Sequence, residues 1–442
     1  MPKFAFQIPI TMHKIERLIL ILSLLASHIA LAQTGKEWDD PKISHVNREN
    51  AHTVGIPFAS EADVAANDIH ESPYYLSLDG KWKFYWVKTP TSLNPATCAK
   101  DYNDAAWTDI DVPSSWQVWG VNHGKSWDKP LYCNVAYPFS YNESTYSVMA
   151  SRPSWFTYNS SMPNPVGTYR KTFTLPDSWD GRDVYVRFNG VGHGYYLWIN
   201  GERVGYSEDS YLPSEFNITS YLNKGENTIA LQVFRFTSGS FLECQDYWRL
   251  TGIQRHCFLW SAPKSQIRDY FFTTDLDNSY TNAKANVKVY LTGAEAVKGG
   301  EVAVCIKKDG LDIASATKPV DGDELNFDMD VTNPLKWSAE EPNLYDLVLT
   351  LKDMDGKAIA ETLQAKTDLV NGSFVLRTVD YLRRGGRCTG LEALGAKMLH
   401  IRPSIVVEDG KADLGSYGRV HFIDWDKTRG RQRTVQVMVM GE

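Results

Sequence analysis

Between Trp38 and Ala262 apolar residues recur at every second position in short runs, each closed by Gly, Asn or Pro. That pattern constrains the chain more than any other feature. Val184, Val186 and Phe188 alternate in DVYVRF, Tyr196 and Trp198 in GYYLWI, and Ile229, Leu231 and Val233 in NTIALQV. A period of two places alternate side chains on one face of an extended strand, whereas a helix needs a period near 3.6. Asn200-Gly201, between GYYLWI and ERVGYS, has the composition of a two-residue hairpin turn. Many short strands with such breaks predict an all-β fold, a jelly-roll sandwich over residues 38–262.

Residues 263–370 repeat the theme with a different spacing. Ala285, Val287, Val289 and Leu291 alternate, as do Val302, Val304 and Ile306. Leu347, Leu349 and Leu351 lead into a turn signal at Asp355-Gly356. About one hundred residues with about seven such runs predict an immunoglobulin-like β-sandwich. The stretch SAPKSQIRDY, residues 261–270, is the expected junction.

The two ends differ from this body. Lys14 and Arg17 precede an apolar run, Leu18 to Leu25, and Ala30-Leu31-Ala32 precedes Gln33. This is the layout of a secretory signal over residues 1–32, and it predicts an exported chain, periplasmic or secreted. The apolar run is short for a membrane span, and no span is expected after signal cleavage. Residues 377–442 carry twelve Lys or Arg against eight Asp or Glu, with little periodicity. Residues 371–442 are therefore read as an irregular, aberrant or disordered tail. A basic tail suits nucleic acid or anionic lipid; a translated frameshift accounts better for the change of texture and is the preferred reading. The net charge of -7 gives no reason to expect nucleic acid as a partner. The six cysteines form no C-x-x-C pair, so no zinc site is indicated, and their pairing is open.

Four stretches carry a resemblance. They are VPSSWQVWG (112–120), PLYCNVAYPF (130–139), GYSEDSYLPSEFNIT (205–219) and FLECQDYWRLTGIQR (241–255), with NPLKWSAEEPNLYDL (333–347) later. Their order and spacing resemble the N-terminal part of glycoside hydrolase family 2, and within it the large β-galactosidases rather than the β-glucuronidases. The resemblance covers about residues 38–370. It implies a sugar-binding jelly roll, then an immunoglobulin-like domain, then a (β/α)₈ barrel that holds two catalytic glutamates for retaining hydrolysis of terminal β-galactosides. About seventy residues follow Val370, fewer than a barrel requires. The resemblance thus implies a truncated form, inactive alone, with no catalytic residue in this chain.

The same resemblance assigns Asn134 and Asp209 as substrate-binding residues for a galactoside, with Asp209 also a sodium ligand. An amide and a carboxylate supply fixed donors and acceptors for sugar hydroxyls, and a hard cation prefers oxygen. Sodium and magnesium belong to the intact family, and neither is expected to bind this chain tightly. A homo-oligomer is also implied for the intact family. Asn142-Glu143-Ser144 spells the triplet of the family's acid/base glutamate, but it follows CNVAYPFSY with no barrel strand before it, so Glu143 is read as a solvated loop residue. Asp246, Trp248 and Arg249 are read as a buried polar cluster, and His193 as a structural histidine. Two alternatives stay open: a stand-alone carbohydrate-binding module, suggested by Trp116, Trp119 and Trp127 as exposed-type aromatics, and a fragment complementing a separately encoded barrel.

Overall fold

The computed structural model describes residues 37–53, 55–60, 68–133, 164–243, 247–338 and 340–367, together with short strands within 374–413. The fold is all-β. The signal-like segment 1–32, the Asn142-Glu143-Ser144 triplet and most of the tail lie outside the described residues.

The alternating runs become the strands they predict. One seven-stranded sheet runs in the order His45–Val46, Glu202–Ser207, Gly194–Ile199, Glu226–Phe234, Val166–Thr174, Gly80–Val87, Thr108–Val112. A four-stranded sheet runs Ser214–Asn217, Asp183–Phe188, Cys257–Ala262, Tyr75–Ser77. Trp82, Phe84, Leu197 and Leu231 of the first meet Val186, Phe188, Phe216 and Leu259 of the second in one apolar core. Aliphatic and aromatic side chains of this size each stabilise by about 1.5–3 kcal/mol when buried. Asn200 and Gly201 take φ of 51° and 86°, the left-handed pair that a tight hairpin demands.

The next seven strands form a three-stranded sheet (Gln266–Leu276, Ala283–Thr292, Glu324–Val331) and a four-stranded one (Leu311–Pro319, Glu301–Lys308, Tyr345–Lys352, Ala358–Thr367). Val287, Val289, Val302, Val304, Ile306, Leu347, Leu349 and Leu351 are buried at the predicted period. The chain divides into two compact units. The first holds the jelly roll with residues 286–329 and 345–367; the second holds 273–285, 330–344 and everything after 367. In the second unit the tail forms three short strands, Phe374–Val375, Ser404–Glu408 and Lys411–Asp413. The irregular pattern there had given no sign of them.

Within the first unit one carboxylate ties the two sandwiches together. Glu215 Oε1 accepts from His52 Nε2 and from Arg268 Nη2, each at 2.9 Å. Its Oε2 accepts from Trp260 Nε1 at 2.9 Å and from Arg187 Nη1 at 3.3 Å. Arg268, from the first strand of the second sandwich, also reaches Glu49 at 3.0 Å and lies over the Tyr185 ring. Burial alone would raise the Glu215 pKa; the His52 hydrogen bond and the charges of His52, Arg268 and Arg187 outweigh it and bring it down to about 2.

Candidate functional site

Asp209 sits where the strand Glu202–Ser207 leaves the sheet. Its φ is +76°, a left-handed backbone that a non-glycine residue holds at a cost of about 1–3 kcal/mol. Three neighbours fix this turn. Arg48, just after the strand His45–Val46, donates from Nη1 to Asp209 Oδ2 at 2.9 Å, to Ser207 Oγ at 3.1 Å and to the Glu208 carbonyl at 3.4 Å. Glu243, in the short helix Ser240–Glu243, accepts the Ser210 N–H on Oε1 at 2.8 Å. Its Oε2 accepts from Ser210 Oγ at 2.6 Å and pairs with His193 Nδ1 at 2.9 Å. Glu208 points inward, where it accepts from Tyr206 Oη at 2.5 Å, Ser238 Oγ at 3.1 Å and the Gly239 N–H at 2.9 Å.

The two glutamates titrate in opposite directions. Burial pushes Glu208 up to about 8; hydrogen bonds from Tyr206 and Ser238 oppose this without cancelling it. Burial would raise Glu243 as well, but the hydrogen bond and charge of His193, helped by Ser210, hold it below the ordinary carboxylate value. Glu208 is thus a neutral internal acceptor at pH 7, and Glu243 a fixed anion beneath the loop. Asp209 itself is about two-fifths exposed, and its Oδ1 takes no hydrogen bond from the described residues. One carboxylate oxygen is held by Arg48 and the other is without a partner among the described residues.

Asn134 lies outside the described residues, so the structure does not bring it and Asp209 together; the last described residues before it, Leu131–Cys133, pair with Tyr247–Arg249. In that pair Trp248 is 53% exposed and meets Tyr132 edge-on, with ring centroids 5.9 Å apart. The expected buried cluster is therefore corrected in part. Arg249 is buried, because its position in the strand faces the fold, whereas the adjacent Trp248 faces out. Asp246 is outside the described residues. The reading of Trp116, Trp119 and Trp127 as exposed is also corrected. They lie on and beside the helix Trp116–Asn122, where Trp116 is fully buried and Trp119 and Trp127 pack against the same core. His193 is buried as expected, but its Nε2 has no partner among the described residues.

As a cation site the described residues fit poorly. No group of three His, Cys, Asp or Glu side chains converges among them. Asp209 offers one free oxygen beside a guanidinium, far short of the several oxygens a hard cation takes. What the arrangement does offer is a single partly exposed carboxylate with one oxygen held by Arg48. Sequence reasoning missed Arg48 and Glu243, because neither carries a local signal and each meets the loop only through the fold.

The model of the glycosyl hydrolases family 2 sugar-binding domain matches residues 75–263, and a second model of the same family matches residues 265–366. The chain belongs to glycosyl hydrolases family 2. Within this family, a beta-galactosidase of Priestia megaterium (strain DSM 319 / IMG 1521) is 36% identical over 372 residues, which cover 79% of this chain and 34% of that protein. A beta-galactosidase of Clostridium acetobutylicum is 36% identical over 331 residues, covering 74% of this chain and 35% of that protein. The chain thus spans about a third of the length of these family 2 relatives. Among solved structures, a Bacteroides uniformis beta-glucuronidase superposes with a TM-score of 0.53 at 19% identity, over 69% of this chain and 33% of that one. A beta-glucuronidase from glycoside hydrolase family 2 gives 0.52 at 20% identity, over 68% of this chain and 31% of that one. At such identities the likeness speaks for the fold. A third model, of the uncharacterised protein family DegV, matches residues 349–421 and overlaps the end of the second sandwich.

Proposed function

We propose that this chain is the sugar-recognition part of an exported retaining β-galactosidase, unable to hydrolyse a galactoside by itself. The observation that carries this reading is the 36% identity to named beta-galactosidases across both family 2 domains. Asp209, through its free Oδ1, accepts a hydroxyl of a terminal β-galactoside, and Asn134 supplies an amide beside it. Retaining hydrolysis needs two carboxyl groups about 5–5.5 Å apart across the scissile bond, and the sequence places no such pair in these two domains. Sodium and magnesium need further oxygens than the described residues bring to Asp209, and neither binds tightly there. Complementation of a separately encoded barrel remains the second reading, favoured by relatives of whose length this chain spans only about a third. A stand-alone module loses much of its motivation with Trp116 buried and Trp119 and Trp127 partly buried against the core.

The test is direct. The purified chain, residues 33–442, is assayed with a nitrophenyl β-galactoside and titrated with a non-hydrolysable β-thiogalactoside followed by amide NMR shifts. No turnover above the blank is expected, with weak saturable shifts that Asp209→Asn removes. Robust turnover abolished by Glu143→Gln would overturn the assignment.

A further inference from the structure

We propose that Arg48 and Glu243 are positioning residues that clasp the turn 207–210 from opposite sides and aim Asp209 Oδ1 at a sugar hydroxyl. The inference rests on the reading of Asp209 as a galactoside contact and adds what makes that contact possible.

The starting observation is the backbone. A left-handed aspartate persists only where its surroundings over-determine it, and such outliers gather at ligand clamps. Here two independent elements do so. Arg48 reaches in from the N-terminal segment and bridges three consecutive residues through one nitrogen: the Ser207 hydroxyl, the Glu208 carbonyl and the Asp209 carboxylate. Glu243 reaches from a helix more than thirty residues along the chain and holds Ser210 by both its N–H and its hydroxyl. Arg48 holds the strained residue itself and Glu243 holds its neighbour Ser210, and the Asp209 carboxylate has no other hydrogen-bond partner among the described residues. His193, wedged between Glu243 and Ser210 at 2.9 and 3.0 Å, fixes the orientation of the Glu243 carboxylate. With Oδ2 anchored by Arg48, rotation about the Asp209 side chain is restricted, and Oδ1 has no partner among the described residues. An acceptor fixed in advance loses little freedom when a hydroxyl arrives, and that is the benefit of preorganisation.

The experiment uses the full chain and reads hydrogen exchange over 207–213 in a double-mutant cycle of Arg48→Met and Asp209→Asn. Exchange is expected to rise about fivefold in each single variant, the effect of losing one half-exposed ion pair. The double variant should exchange no faster than Arg48→Met, because the two changes remove one interaction. Additive effects would overturn the clasp. Asp209→Gly supplies the second arm: glycine relaxes the left-handed backbone, so the melting temperature should hold or rise, and a clear fall would mean that Asp209 is kept for structure instead of ligand. With β-thiogalactoside, Arg48→Met and Glu243→Gln should each reduce the Asp209-dependent shifts, and Arg48→Lys should restore part of them. A coupled cycle with no sugar-dependent shift in the native chain would overturn the galactoside reading and leave the clasp standing.

Discussion

Replacing Glu215 by Gln removes a charge that four donors share, and the structure sets the size of the effect. The side chain is nearly inaccessible, with Arg187 and Arg268 both within 3.3 Å. In the folded chain its carboxyl titrates near 2, against 4.5 when free. A carboxyl with a depressed folded pKa contributes stability that is present above the unfolded value and lost as pH falls through the folded one. The window here is pH 4.5 down to 2, and the contribution above it is about 3 kcal/mol. Glu215→Gln also leaves the buried Arg187 guanidinium and the partly buried Arg268, which keeps Glu49, facing a neutral amide, a loss of up to about 3–5 kcal/mol for breaking a buried pair. Urea denaturation of native chain and variant at pH 7 should therefore differ by at least about 3 kcal/mol. At pH 3 the gap should shrink to about half, since the native carboxylate is then closer to its own pKa. A gap under about 1 kcal/mol at pH 7, the level of an exposed pair, or an equal gap at both pH values, would refute the account of Glu215 as the electrostatic centre of the junction.

Glu208 should behave in the opposite sense. Its folded pKa, about 8, lies above the free value of 4.5, so the stability it lends is complete below pH 4.5 and is lost as pH rises through 8. Glu208→Gln, which mimics the neutral acid, should raise the melting temperature at pH 8 and change it little at pH 4.5; a variant less stable at both would contradict the buried neutral carboxyl. Trp116→Ala should cost about 3–5 kcal/mol, as for other core tryptophans, whereas Trp248→Ala should cost under about 1 kcal/mol, in keeping with its half-exposed ring. Parallel denaturant melts compare them, and equal losses would mean that the burial of one has been misjudged.

The reach and the limits of sequence reading follow from the distances along the chain over which each feature is encoded. Runs such as DVYVRF and Asn200-Gly201 encode their structure within a few residues, and the strands and the hairpin duly appear where they are expected. The tryptophans of WQVWG misled because composition says that a ring is large, not which way it faces. At helical spacing Trp116 and Trp119 share a face, and that face is the core one. Asp209 was singled out by its motif, but the residues that hold its turn were not: Arg48 lies 161 residues before it, and neither Arg48 nor Glu243 has a pattern of its own. Arg268 and Glu215, 53 residues apart, escaped for the same reason. The tail strands were invisible because their sequence lacks the alternation that marks the others.

The reach of Arg268 bears on where this protein can be cut. By sequence the sugar-binding domain closes at residue 263, which marks that point as the place to divide the chain. Yet the guanidinium that completes the Glu215 cluster is encoded five residues beyond that line, on the neighbour's first strand. A jelly roll excised at 263 would keep the acid and lose one of its counter-charges, and a foreign second domain grafted in its place would have to bring an arginine to the same spot. In this chain the boundary read from sequence and the edge of the Glu215 cluster are therefore offset by five residues, and a cut between them parts an acid from one of its counter-charges.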